Sequence, residues 1–197
     1  MALAEFDLIK QFFTRPAQHK CTRLSVGDDC ALLSVPEGYQ LAITTDTMVE
    51  NIHFFPDVSP QQLGYKLLAV NLSDLASMGA EPMAITLALT MPRVDSGWLQ
   101  AFADGLFTLA DKYQLDLIGG DTTSGPLTLS IQAMGLVPVN QALKRSAAKA
   151  GDLIYVTGSI GNAGLGLKIK QGYAGQDMQQ ALQRFHCPEP RIKEGLA

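Results

Sequence analysis

The chain has 197 residues, 47% of them hydrophobic and 17% charged, and a formal net charge of −4. This is an ordinary globular mixture, long enough for one large domain or for one domain and the start of another. The acidic balance argues against a nucleic-acid binder that works by phosphate neutralisation, and no apolar run approaches the roughly 20 residues that span a bilayer.

Met1 to Asp7 lacks the basic and hydrophobic regions of a signal peptide, so a cytosolic protein is expected. From Glu5 to Phe13, the residues Phe6, Leu8, Ile9, Phe12 and Phe13 fit a short amphipathic helix that ends before Pro16. Thr14 to Asp28 reads as loop. Cys30 to Val35 and Gln40 to Thr45 are strand-like, and Pro36-Glu37-Gly38 between them has turn chemistry, which predicts a hairpin.

After a second loop, Asp46 to Ser59, Pro60 suits the first turn of a helix with Ser59 as its N-cap. That helix is expected to reach Met78 and stop at Gly79. Met83 to Met91 is strand-like, the spacing of Leu99, Phe102, Leu106 and Leu109 predicts a helix over Trp98 to Tyr113, and Leu115 to Ile118 is a short strand. Strands are also expected over Leu127 to Val137 and Asp152 to Thr157.

The alternation predicts an α/β sandwich. Polar Lys144, Arg145, Ser146 and Lys149 interrupt the apolar runs, placing a boundary near residues 140 to 151. Residues 1–143 are expected as one domain and 144–197 as the beginning of a second. One strand and two helices are too few to enclose a core, so the chain reads as truncated. The cysteines Cys21, Cys30 and Cys187 are odd in number and widely spaced, which suggests reduced thiols, with Cys30 a small core residue of its strand.

The chemistry-bearing signal is a set of aspartates expected where strands and helices end: Asp28, Asp29, Asp46, Asp74 and Asp121. Asp28 and Asp29 follow Gly27 and open a strand, an arrangement shared by ion sites and by plain solvated turns. In Thr44-Thr45-Asp46-Thr47, hydroxyl and carboxylate oxygens suit a hard cation, or a simple strand-end cap.

Asp74 lies in Leu72-Ser73-Asp74-Leu75-Ala76-Ser77-Met78-Gly79, among side chains expected to be buried. There it needs a charge partner, hydrogen bonds or a metal to stay ionised, unless it belongs to an exposed stripe. Asn71, one turn earlier on the same face, offers a further oxygen. Gly119-Gly120-Asp121 follows a strand and lets a phosphate or its metal approach the backbone, or else makes a tight turn.

If gathered, five carboxylates without matching basic residues would repel one another, so gathering implies several divalent cations, with magnesium the natural one. Arg145 either adds a cation able to grip phosphate oxygens or belongs to a solvated basic loop, and His53, on a loop, either reaches a substrate or is an ordinary surface or packed histidine. Neither the Gly-Lys-Ser/Thr phosphate loop nor the protein-kinase signatures occur.

Taken in order, Gly27-Asp28-Asp29-Cys30-Ala31, Thr44-Thr45-Asp46-Thr47 with Asn51-Ile52-His53-Phe54, Ala69 to Ala80, and Ile118 to Thr123 resemble the thiamine-monophosphate kinase family. That family lies within the superfamily of aminoimidazole ribonucleotide synthetase and selenophosphate synthetase. The resemblance implies that Asp29, Thr44, Thr45, Asp46, Asp74 and Asp121 help hold magnesium ions, that Gly120, Asp121 and Arg145 lie close to ATP, and that His53 contacts thiamine monophosphate. It also implies a ferredoxin-like N-terminal domain that joins its copy across a homodimer into a β-barrel, followed by the start of a second α/β domain near Tyr155 to Gly164.

The implied reaction is direct in-line phosphoryl transfer from ATP to thiamine monophosphate, with acidic residues acting as metal scaffolds rather than general bases. Two alternatives stand beside it. One is a sister ATP-dependent synthetase of the superfamily, and the other is a non-catalytic domain that binds nucleotide or only dimerises.

Overall fold

The computed structural model describes residues 5–174 and 178–197. Its centre is a four-stranded sheet made of β3 (Tyr39–Val49), β4 (Glu81–Met91), β5 (Asp116–Ser124) and β6 (Thr128–Pro138) in the order β3-β6-β4-β5. β6 is antiparallel to both β3 and β4, whereas β4 and β5 are parallel. A separate two-stranded ladder joins β1 (Thr22–Leu24) to β2 (Leu32–Leu33). The chain begins with α1 (Glu5–Leu8), which continues as a π-helical turn over Ile9–Phe13.

Two long helices, α2 (Pro60–Ser77) and α3 (Ser96–Lys112), cover one face of the sheet. Leu63, Leu67, Leu68, Leu72 and Leu75 of α2 and Leu99, Phe102, Leu106 and Leu109 of α3 are buried in one core with Ile85, Leu89, Leu129 and Ile131 of the strands. The helices meet closely because Gly64 and Gly105 lack side chains. A Cβ on Gly64 would overlap the Phe102 carbonyl oxygen, and one on Gly105 would overlap that of Gln61. α2 carries Pro60 in its first turn, and Ser59 occupies the N-cap position without a side-chain bond. In α3, Asp95 does cap, its Oδ1 accepting from Gly97 N at 2.9 Å and Trp98 N at 3.0 Å.

The other face carries a smaller core of Cys21, Met83, Ala84, Ile118, Met134 and Leu136, with Ala31 and Leu33 packed on it from the β1–β2 segment. Beyond the sheet, α4 (Asn162–Lys170) packs on α5 (Met178–His186), while α6 (Ile192–Gly195) lies against α2 with Ile192 in the main core. The fold is thus mixed α/β, with no closed barrel among the described residues.

Several expectations are corrected. The Cys30–Val35 and Gln40–Thr45 runs do not pair with each other. β2 pairs with β1, and β3 spends its backbone bonds on β6, a match of eleven residues that outweighs a short local hairpin. Asp46 does not close a strand, because Thr-rich Thr44 to Thr47 is strand-competent and β3 runs on to Val49. Likewise, Gly119 to Ser124 form no turn after a short strand but continue β5 beside β4.

No strand forms over residues 152–157. Among the described residues no strand pairs with this segment, and Ile154 is 93% and Tyr155 84% exposed. The order β-α-β-α-β-β of the main sheet also departs from the β-α-β-β-α-β of a ferredoxin-like domain, since β5 passes to β6 through the short loop of residues 125–127 with no helix between them, and β4 lies between the two strands in the sheet.

Candidate functional site

The acidic residues singled out in the sequence fall into two groups. The first lines a cavity of about 1010 Å³ on the sheet face away from the helices. Gly27, Asp28, Asp29 and Cys30 form one wall, and Gly119, Gly120 and Asp121 of β5 form another. Phe6, Ile9 and Phe13 close it from the N-terminal helical segment, and Thr86, Gln132 and Met134 supply the floor.

Gly120 is required by the packing. Its φ is +155°, and a Cβ there would overlap the carbonyl oxygen of Leu87 on β4, so the backbone of β5 lies bare beside the cavity. Cys30 is exposed on this wall rather than buried in a strand, because residues 28–31 precede β2 instead of belonging to it. Asp28 Oδ1 accepts from Asp29 N at 2.8 Å, which fixes the turn and leaves both carboxylates exposed.

The wall is held by a residue the sequence did not single out. Asp116, at 6% exposure, accepts hydrogen bonds from Gln18 N (2.8 Å), His19 N (3.0 Å) and Thr22 Oγ1 (2.7 Å). One carboxylate at the start of β5 thereby ties down the segment leading into β1. A lone Asp between apolar residues in Gln114-Leu115-Asp116-Leu117 carries no pattern that separates it from a surface charge.

The second group lies between β3 and the C-terminal half of α2. Thr44 Oγ1 donates to Asp74 Oδ2 at 2.7 Å. Asp46 lies close enough to Asp74 that their like charges interact, and its carboxyl is pushed above the ordinary carboxylate range, first by partial burial and then by Asp74, with His53 acting in the opposite direction. His53 Nδ1 accepts from Val49 N at 3.1 Å, so a neutral ring carries its proton on Nε2 and presents a donor.

Alternation along β3 separates the three adjacent candidates. Thr44 and Asp46 face α2, while Thr45 shares its face with Gln132, its partner on β6 and part of the cavity floor. Asp74 is exposed and Leu72, Leu75 and Ala76 around it are buried, so the fully buried polar residue of this helix is Asn71. Asn71 Nδ2 donates to the Leu67 carbonyl at 2.9 Å, and its Oδ1 has no donor among the described residues. Arg145 is exposed on a 3₁₀ turn, two residues after Leu143, whose N donates to Met78 O at 3.0 Å at the end of α2.

The two groups do not meet within one chain. Asp46 is on β3 and Asp121 on β5, the two edges of the sheet, about 14 Å apart by ordinary strand spacing. Among the described residues, no three His, Cys, Asp or Glu side chains form a metal cluster. The donors of the second group nevertheless fit a hard divalent cation. Hydroxyl and carboxylate oxygens converge from β3 and α2, Asp46 and Asp74 repel each other, and the orphaned Asn71 oxygen adds an acceptor with nothing to accept.

Residues 27–137 match the family model described as AIR synthase related protein, N-terminal domain. The chain is 50% identical over 202 residues to the thiamine-monophosphate kinase of Escherichia coli K12, covering all of this chain and 62% of that protein. It is 37% identical to the thiamine-monophosphate kinase of Bacillus subtilis, over 97% of this chain and 62% of the relative. The crystal structure of thiamine-monophosphate kinase from Stenotrophomonas maltophilia K279a superposes with a TM-score of 0.88 at 44% identity, covering all of this chain and 65% of that one. The chain thus spans about three fifths of the length of the curated relatives it matches.

Proposed function

Since the chain belongs to the AIR synthase related family, we propose that it forms the nucleotide- and magnesium-binding part of a kinase that phosphorylates thiamine monophosphate with ATP. The observation that carries this reading is the identity of 50% to a thiamine-monophosphate kinase over the whole chain, with the acidic and glycine segments gathered into two groups at opposite edges of the sheet. In this reading residues 1–143 are the nucleotide-binding and dimerisation domain, and 144–197 begin a second domain.

The site is then completed by a second copy. Asp46 and Asp121 occupy opposite sheet edges, so an ion or nucleotide that uses both is shared across a homodimer. Exposed Tyr39, Leu41 and Ile43 on edge strand β3 give that copy an apolar face to cover, as a barrel across the dimer requires.

Asp29, Thr44, Thr45, Asp46, Asp74 and Asp121 are assigned to magnesium, which when bound would neutralise phosphate charge during an in-line transfer. Bare backbone at Gly119 and Gly120 admits phosphate oxygens without steric conflict. Arg145 supplies a fixed cation for them, and His53 offers its Nε2 proton to the phosphate of the acceptor. The Phe6, Ile9 and Phe13 wall excludes water from the far end of the cavity. No side chain is required as general base, because the acceptor is already an anion.

The test is formation of thiamine diphosphate from thiamine monophosphate, ATP and magnesium, by this chain and by a protein of the relatives' full length. Product from the longer protein supports the assignment. Absence of product from both, with ATP still bound, would instead favour a synthetase or a non-catalytic nucleotide-binding domain.

A further inference from the structure

Buried polar atoms in folded proteins are almost always paired, so a buried oxygen without a donor marks a place where something else donates. Asn71 is such a place: it is 0% exposed, and Oδ1 is the only buried side-chain nitrogen or oxygen without a partner among the described residues. Its orientation is fixed. Exchanging the amide ends would set Oδ1 against the Leu67 carbonyl oxygen, two acceptors facing each other, so Nδ2 stays on Leu67 and Oδ1 on the other side.

The direction of α2 shows what lies nearby. Only residues 50–59 separate the end of β3 from the start of α2, and the Thr44–Asp74 bond joins the middle of the strand to the last turn of the helix, so α2 runs back along β3. One turn back from Asp74, about 5 Å, therefore moves from Thr44 toward Asp46 along the strand. Asn71 shares a helix face with Asp74, and by this register it lies at about the level of Asp46 along the strand. Asp46, when ionised, is an acceptor and cannot satisfy Oδ1. The missing partner is a donor small enough to sit among acceptors.

We propose that Asn71 is a positioning residue of the magnesium half-site, its Oδ1 accepting a hydrogen bond from a water molecule on the cation held by Asp46 and Asp74. This inference rests on the magnesium reading of that half-site. Magnesium dehydrates reluctantly and keeps several waters, which need acceptors in fixed positions. An amide oxygen supplies one without adding a third negative charge, and its anchor on Leu67 means that no order has to be created on binding.

The experiment uses the full chain with saturating ADP and records melting temperature as MgCl₂ is raised, for wild type, Asp74→Asn and Asn71→Leu. Asn71→Leu keeps the branching and approximate volume and removes the acceptor. Losing Nδ2 costs little, because the Leu67 carbonyl lies inside α2 and retains its helical partner. The expected result is that Asn71→Leu melts no lower than wild type in EDTA, yet needs about tenfold more Mg²⁺ for its half-maximal shift, in line with residues that orient metal ligands. Should Leu prove too large, Asn71→Ala reads the same Mg²⁺ dependence.

Wild-type Mg²⁺ dependence in both Asn71 variants, with that dependence lost in Asp74→Asn, overturns the positioning role and leaves the magnesium site standing. A wild type whose melting does not respond to Mg²⁺ overturns both.

Discussion

The two acidic groups are built on opposite principles. Around Gly120 the chain makes room: β5 carries no side chain at Gly119 and Gly120, the cavity holds about 1010 Å³, and Asp28, Asp29 and Asp121 stand exposed at its edge. Between β3 and α2 it makes tension instead, with Asp46 and Asp74 in mutual repulsion, one hydroxyl bonded to Asp74, and a buried oxygen without a donor. The first arrangement suits a ligand with volume and backbone-seeking phosphates, and the second suits a compact cation. A substrate that brings both, such as a nucleotide with its metal, gives each group a function.

Filling the open side should have the largest effect. Gly120→Ala places a Cβ on the Leu87 carbonyl oxygen and asks an L-residue to hold φ +155°, so β4 and β5 must separate. A loss of about 3 kcal/mol in stability is expected, together with loss of ATP binding. Denaturant unfolding and nucleotide titration measure the two, and a variant of wild-type stability would refute the close β4–β5 approach.

The tense side should respond in binding rather than in folding. Asp74 is exposed and bonded to one hydroxyl, so Asp74→Asn is expected to leave the melting temperature in EDTA within about a degree of wild type. Magnesium-dependent nucleotide binding is expected to fall about 100-fold, equivalent to about 2.7 kcal/mol. Unchanged binding would remove Asp74 from the metal site.

Between these stands Asp116, which serves the open side from beneath. Asp116→Ala strands two backbone N–H groups and the Thr22 hydroxyl, at a cost of about 2 kcal/mol, and should loosen the segment before β1. Hydrogen exchange at Gln18 and His19 reports this directly. Protection unchanged from wild type would mean that other contacts hold the wall.

How much of this was legible in the sequence depends on whether the signal was local. The spacing of Leu99, Phe102, Leu106 and Leu109 located α3, and Pro60 and Gly79 bracketed α2 closely, since helix signals lie within a few residues of each other. Strand pairing is not local: nothing in Cys30 to Thr45 shows that β3 prefers β6, more than 80 residues away, to its neighbour. Residues 152–157 have strand composition, but a strand exists only with a partner.

The aspartates were found as candidates from their types and neighbours. Their division into two groups was hidden because it follows from the sheet order β3-β6-β4-β5. The separation of Thr45 from Thr44 and Asp46 follows from the two-residue period of β3, which runs on to Val49 past the end that its composition suggests. Asp116 and the orphaned oxygen of Asn71 depend on burial and on partners far away in the chain, which composition does not report.

The smallest effect is the most specific to tension, because its sign changes with the metal. Partial burial and the neighbouring Asp74 hold the Asp46 carboxyl above its unfolded value of 3.8. The native chain therefore keeps that proton more tightly than the unfolded chain does. The stability this contributes is fully present below pH 3.8 and is lost as pH rises through the folded value, so ionised Asp46 is a cost at neutral pH without metal. Asp46→Asn removes the cost. In EDTA at pH 7 the variant should melt slightly higher than wild type, and the difference should shrink as pH falls toward 3.8. With magnesium and nucleotide present the order should reverse, because only the wild type gains from the bound ion. Thermal melts across that pH range, with and without Mg²⁺, measure both halves. A variant that is less stable than wild type in EDTA at neutral pH would mean that Asp46 makes a favourable contact there, and the group between β3 and α2 would then be a structural cluster rather than a cation site.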